Sequence, residues 1–316
     1  MSDESDGESD TQPQQQQIST IQLPPPQPIV IDPDATDVDL NHRRIDRIQH
    51  LEVLYQVISL CLRQNEIEKI EGLAQLVTLE DLDLYDNKLK KIEGLQTLTN
   101  LHTLDLSFNA IRVVENLELL VKIKKLFLIQ NKISRIDNLS SLTQMIMLEL
   151  GSNRIRKLEN LDALVNLESL FIGKNKITKL ENLGALKKLK VLSIQSNRIT
   201  KIENLDELEM LEELYLSHNG VEAIEGLEKN MNLTTLDLAC NKVKRIENVG
   251  HLVKLEEFWF NGNLLENFAD LDKLRNATNL QTVYLEQNPI QKDSAYRRKV
   301  KLALPCLVQI DATYCR

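Results

Sequence analysis

The chain has 316 residues, 42% of them hydrophobic, with 47 acidic against 38 basic side chains for a formal net charge of −9. That balance disfavours a general nucleic-acid binder, which carries a basic excess, and no apolar run approaches the roughly 18 residues a membrane span needs. The four cysteines (Cys61, Cys240, Cys306, Cys315) form no CxxC pair and no charged-then-apolar leader is present, so a reducing compartment, cytosol or nucleus, is expected.

Residues 1–36 have the composition of a disordered tail. Asp3, Glu4, Asp6, Glu8 and Asp10 are followed by Gln14 to Gln17 and then Pro24-Pro25-Pro26. Too few aliphatic groups are present to offset the entropy of ordering them. The proline stretch has the make-up of a polyproline ligand, but a solvated leader is the favoured reading. Ser5-Asp6-Gly7-Glu8 has the form of an acidophilic kinase site, a weak signal because such patterns are frequent.

From residue 37 the pattern changes. Val38, Leu40, Ile45, Ile48, Leu51 and Leu54 fit a repeat template with Arg43 where an asparagine belongs, which makes this a degenerate unit shielding the end of an array. Ten asparagines then recur every 22 residues, from Asn65 through Asn87, Asn109 and onward to Asn263, and Asn288 follows after 25. Each sits in a frame such as Leu79-x-x-Leu82-x-Leu84-x-x-Asn87-x-Leu89, the leucine-rich repeat signature. The array spans 37–290, about 11–12 repeats. Three extra residues near Lys273 to Ala277 lengthen the tenth. Residues 291–316 break the template: Tyr296 to Leu304 has helical spacing ended by Pro305, and Leu307, Ile310 and Asp311 form a short extended tail, together a C-terminal cap. The expected fold is an α/β leucine-rich repeat solenoid. A curved parallel β-sheet lines its concave face, and short helical or 3₁₀ turns line the convex face, because 22 residues leave no room for a long helix.

One regular unit shows the chemistry. Leu104 and Leu106 alternate with Thr103, Asp105 and Ser107, the period-2 pattern of a strand with one buried face. The repeating asparagine falls where the chain leaves the strand, and its amide pairs backbone groups that the turn strands. These asparagines are structural. A later Ile-Glu-Asn/Gly-Leu element, as in Ile92-Glu93-Gly94-Leu95 and Ile202-Glu203-Asn204-Leu205, places residues that tolerate left-handed backbone at a tight turn. A basic row (Lys69, Lys91, Arg135, Lys157, Lys179, Lys201, Arg245) runs beside the glutamates. Solvated ladders of opposite charge are favoured there over a phosphate-binding edge.

The outward strand positions carry the functional signal. Four residues before each asparagine stand Cys61, Asp83, Asp105, Phe127, Glu149, Phe171, Ser193, Tyr215, Asp237, Trp259 and Tyr284. Five are aromatic, four acidic and none basic, in a chain with 4% aromatics and a single Trp. Flanking rows add Asp81, Glu213, Glu257, Tyr85 and Glu286, with only Lys125 and Arg63 as bases. Aligned aromatics among acids make a binding face for a basic and apolar partner; the competing reading is rings packing on one another to stiffen the sheet. The histidines (His42, His50, His102, His218, His251) share no row, and no phosphate-cradling glycine loop appears. Neither catalysis, a cofactor nor a metal site is suggested. His218 and Cys240 share a column, a chance pairing.

Uniform 22-residue units, the acidic leader, Leu255-Glu256-Glu257-Phe258-Trp259, Asn288-Pro289-Ile290 and the Tyr296-Arg297 to Leu304-Pro305 cap together resemble the leucine-rich repeat regulatory subunits of protein phosphatase 1. The resemblance covers about residues 38–316. It implies a non-catalytic protein whose concave face grips the phosphatase catalytic subunit through Asp105, Phe127, Glu149, Phe171, Asp237, Glu257, Trp259 and Tyr284. Tyr215 joins that set from its place in the row. The resemblance further implies control of phosphatase activity, maturation or localisation, a role in mitosis and chromosome segregation, and residence in nucleus and cytoplasm. It is compatible with a further phosphatase regulator in a ternary complex, and the chain on its own is expected to be a monomer contacting neither nucleic acid nor membrane. The short basic-x-Val/Ile-x-Phe/Trp docking peptide has no good copy, since Lys299-Val300-x-Leu302 lacks the aromatic. Alternatives are a scaffold of a splicing ribonucleoprotein or a cytoskeletal or ciliary adaptor.

Overall fold

The computed structural model describes residues 31–315. The leader with its glutamine and proline runs and its kinase-like site falls outside them, up to residue 30.

Each repeat contributes one three-residue strand, because the template has only one Leu-x-Leu segment long enough to alternate. In chain order these are β1 (Asp37–Asp39), β2 (Ser59–Cys61), β3 (Asp81–Asp83), β4 (Thr103–Asp105), β5 (Lys125–Phe127), β6 (Met147–Glu149), β7 (Ser169–Phe171), β8 (Val191–Ser193), β9 (Glu213–Tyr215), β10 (Thr235–Asp237), β11 (Glu257–Trp259) and β12 (Thr282–Tyr284). They pair in sequence order, all parallel and in identical register, so Leu104 faces Leu126 and Leu126 faces Leu148. The central residue of each of these strands, Leu in all but β1 (Val38), β11 (Phe258) and β12 (Val283), is buried and its two neighbours look outward. Beneath the sheet each unit adds further apolar layers, in one case Leu106, Ile111, Val114, Leu117 and Leu120, all fully or nearly fully buried. Each such side chain contributes about 1.5–3 kcal/mol of transfer free energy.

The asparagine ladder closes each strand. Asn87 Nδ2 donates to Leu84 O in its own unit (3.1 Å) and to Leu62 O in the unit before (3.0 Å), and its Oδ1 accepts from Ile67 N (3.1 Å). One side chain therefore stitches two coils together. At the array start Asn65 Oδ1 accepts from both Arg43 N and Ile45 N, so the degenerate unit is held without an asparagine of its own.

A second ladder runs along the outer turn. Asn116, Asn138, Asn160, Asn182, Asn204 and Asn248 all have φ between 56° and 60°. Each donates to a carbonyl of the preceding coil, as Asn204 does to Leu180 O at 2.7 Å. Glycine takes the position in three other units. At Gly226 (φ 65°) a Cβ would stand 2.6 Å from Ile202 O. Gly226→Ala therefore combines left-handed strain with a backbone clash, and is expected to cost about 1–3 kcal/mol. Gly226→Asn should cost less, because it gains the bond its neighbours make. Urea midpoints of the two variants check that order.

The convex wall consists of hydrogen-bonded turns, Leu76 N to Leu73 O and Leu79 N to Leu76 O in one unit. Successive i→i+3 bonds are three residues apart, so each stays a single 3₁₀-type turn; a continuous 3₁₀ helix needs bonds on consecutive residues. The lengthened tenth unit does form one, Phe268–Leu274, N-capped by Asn267. In the cap a 3₁₀ turn at Pro289–Lys292 leads to α1 (Tyr296–Ala303). The expected extended tail proves to be half of a hairpin. After β13 (Gln309–Ile310) the chain reverses at Asp311 (φ 51°) and returns as antiparallel β14 (Thr313–Tyr314). Asp311 takes over the ladder's closing role: its Oδ1 accepts from Leu285 N (2.8 Å) and Glu286 N (2.9 Å), and Tyr296 donates to the same carboxylate. An acceptor-only side chain suits the end of a ladder, where two amides need partners. Burial, then the Asp311 charge, pushes the Tyr296 hydroxyl well above its usual range.

Candidate partner-binding face

Because the strands keep one register, residues spaced by a repeat become direct neighbours. Asp105, Phe127, Glu149, Phe171, Ser193, Tyr215, Asp237, Trp259 and Tyr284 form one unbroken line of Cα partners across β4 to β12. At about 4.8 Å between strands the line runs for about 38 Å. All sit at the last position of their strand on the solvent side of the sheet, half-buried except Ser193 and Asp237, which are buried. Glu257 lies one row away on β11.

The arrangement speaks against ring stacking as the reason for the row. Glu149 separates Phe127 from Phe171, and Asp237 separates Tyr215 from Trp259. Of the five rings only Trp259 and Tyr284 meet, with centroids 5.5 Å apart. Every ring but Tyr284 thus has a carboxylate neighbour in the row, and Phe127, Phe171 and Tyr215 pack on no other ring of it. Two acids are hooked to the aromatic on their own strand: Tyr215 donates to Glu213 Oε2 (2.7 Å) and Trp259 Nε1 to Glu257 Oε2 (3.1 Å). These bonds fix the rotamers of groups that would otherwise lose entropy on binding.

The charges of this face are unbalanced. On the outer side bases and acids pair across coils, as in Arg135–Glu159 (3.4 Å), Lys179–Glu203 (3.9 Å) and Arg245–Asp270 (3.8 Å). Among the described residues, none of Asp105, Glu149, Glu213, Asp237 or Glu257 has a basic group within ion-pair distance. Burial pushes the carboxyl of Glu149 above the ordinary carboxylate range, with Asp105 adding to it, and burial does the same for Asp237. Desolvation, Glu213 and the neighbouring acids hold the Tyr215 hydroxyl far above its usual value.

The sign for stability follows. A carboxyl with a raised folded-state value binds its proton more tightly folded than unfolded, so ionisation at neutral pH costs stability and acidification relieves that cost. Glu149→Gln is expected to raise the melting temperature at neutral pH. The gain should shrink as pH falls through and below the raised value, which parallel thermal melts at the two pH values would show.

The sequence missed a cluster at the other end of the face. Arg63 lies over the Tyr85 ring (4.3 Å), pairs with Asp83 (3.5 Å), and Tyr85 meets Phe108 at 4.8 Å. Arg63 and Tyr85 share a row 22 apart. Phe108 belongs to the column just before the asparagines, which is left-handed throughout from Gln64 and Asp86 to Gln287, His218 and Cys240 included. That column takes almost any residue type, so nothing in the sequence marked its conformation.

Comparison with known proteins agrees with this geometry. A family model described as leucine-rich repeat matches residues 62–173, and one described as leucine rich repeats (2 copies) matches 165–207, 209–251 and 232–276. Protein phosphatase 1 regulatory subunit 7 of Mus musculus is 71% identical over 38 residues, 12% of this chain and 10% of the relative. The aligned segments span about a tenth of the length of the curated relatives. Among solved structures, an internalin (InlF) of Listeria monocytogenes superposes with a TM-score of 0.71 at 26% identity, over 89% of this chain and 87% of that one. Internalin C2 of the same organism is 31% identical over 58% of this chain and 83% of its own, with a TM-score of 0.55. With the asparagine ladder and the strand register, these matches place the chain in the leucine-rich repeat family.

Proposed function

We propose that this chain is a non-catalytic regulatory subunit that binds the catalytic subunit of protein phosphatase 1 through its concave face. The carrying observation is the contrast in charge pairing: several outer-face acids are matched with bases, while Glu149 and Asp237 of the concave row stand between aromatic rings with no base within ion-pair distance. Unpaired, partly desolvated carboxylates beside half-exposed rings suit a partner presenting basic and apolar groups, the rings supplying affinity and the acids steering and register. The segment shared with curated regulatory subunit 7 proteins supports the choice of partner. Binding would then set the activity, maturation or location of the phosphatase, in nucleus and cytoplasm and during mitosis.

The test is calorimetric titration of purified phosphatase 1 catalytic subunit into the wild-type chain at low and high salt. A one-to-one complex that weakens with salt is expected, because rim charges are screened within about 10 Å at moderate ionic strength. No heat at either salt sinks the proposal.

A further inference from the structure

The end of the sheet adds a ring to the concave face that the repeat pattern does not contain. In the antiparallel pair of β13 and β14, Gln309 stands directly opposite Tyr314. Directly opposed residues of an antiparallel pair project on the same side of a sheet. For Gln309 that side is the concave one: it continues the row of Glu257 and Thr282, and its Nε2 donates to the Tyr284 hydroxyl at 2.9 Å. Tyr314 is therefore on the concave side, two strands beyond Tyr284 with Gln309 between them, and it is 71% exposed.

We propose that Tyr314 contacts the partner, extending the Trp259–Tyr284 contact by two strands; this rests on the phosphatase reading above. Three tethers hold the strand that carries the ring before any partner arrives. Arg297 reaches from α1 to Ile310 O (2.7 Å) and Thr313 O (3.2 Å), and Cys315 N closes the hairpin on Val308 O (2.7 Å). An exposed aromatic on a fixed strand loses little freedom on binding, which makes it a favourable anchor. The competing explanation is that tyrosine stands there only because it suits a β-strand.

Tyr314→Thr separates the two, since threonine keeps strand propensity and removes the ring. Leu302, 70% exposed on α1, gives a control for the loss of an apolar group elsewhere in the cap. Wild type, Tyr314→Thr, Tyr314→Phe and Leu302→Ala are titrated with phosphatase 1 catalytic subunit, with thermal melts alongside. Tyr314→Thr is expected to weaken binding on the order of tenfold, with Tyr314→Phe and Leu302→Ala close to wild type and all melts unchanged. If wild type binds and Tyr314→Thr binds equally, or weakens no more than Leu302→Ala, Tyr314 is no contact and the phosphatase reading stands. A fall in affinity that tracks a lower melting temperature overturns it too, because the ring then serves the fold. A wild type that fails to bind removes both.

Discussion

Replacing Trp259 and Glu257 together by alanine is expected to abolish partner binding and leave the fold intact. Both side chains project from β11 on the solvent side, half-buried, while the core position of that strand belongs to Phe258, which is fully buried and untouched. No core cavity results, so circular dichroism and melting temperature should stay close to wild type. At the interface the loss is large. Trp259 supplies the biggest ring of the face, packs against Tyr284 at 5.5 Å, and is held by its bond to Glu257. Aromatic anchors of this kind cost about 2–4 kcal/mol when truncated. A carboxylate that orients the anchor adds to that, though not additively, because the two side chains touch. Roughly 4 kcal/mol for the pair is about a thousandfold in affinity. The single variants separate the roles. Trp259→Ala should cost most of the effect at every salt concentration, whereas Glu257→Gln should cost less and lose its effect as salt rises. Should the double variant bind as wild type does, the partner lies elsewhere, and the paired ladders of the outer face come next.

How far the sequence exposed this face follows from what repeats make visible. A 22-residue period with one strand per unit fixes the register, so the row from Asp105 to Tyr284 was legible before any coordinates. The left-handed outer turn was legible too, because Gly or Asn fills it in the full repeats, as at Gly226 and Asn248, with His50 in the degenerate first unit the exception. The second left-handed column was hidden. Its φ is imposed by the asparagine that follows and by bonds such as Gln64 N to Tyr85 O, so residues as different as Lys174 and Phe108 are accepted. Tyr314 was hidden for another reason. The reversal before it turns on Asp311, whose carboxylate is held by two backbone amides, with neither glycine nor proline to mark the bend. Position in the repeat predicted what recurs, and the single events at the ends needed three-dimensional contacts.

The largest stability effect belongs to the asparagine ladder at mid-array. Asn153 Nδ2 donates to Leu128 O (2.9 Å), Leu150 O (3.1 Å) and Gly151 O (3.2 Å), and its Oδ1 accepts from Ile133 N (3.0 Å). The side chain is buried, so Asn153→Ala leaves Ile133 N without a partner, while Leu128 O, Leu150 O and Gly151 O each lose one donor and keep another, Asn131 Nδ2, Asn175 Nδ2 and Gln130 N. At about 1–3 kcal/mol for the buried amide left unpaired, with three carbonyls each losing one of two donors, the cost is about 2–4 kcal/mol. Asn153→Asp keeps the acceptor but points a carboxylate at three carbonyls. That carboxyl should have a raised folded-state pKa, so the variant should recover stability as pH falls and protonation restores a donor. Asn65→Ala, at the first full repeat, is expected to release mainly the unit that carries β1, because repeats couple only to their neighbours. The single Trp259 allows the two cases to be told apart, since it reports on the part of the array after the break at Asn153. In urea, the fluorescence and far-ultraviolet dichroism transitions of Asn153→Ala should separate, the array behaving as two blocks joined by a weak seam. Coincident transitions at an unchanged midpoint would show that this rung is not what couples the halves. The buried leucine stack and the strand hydrogen bonds would then carry the coupling, and the asparagines would serve only to shape each turn.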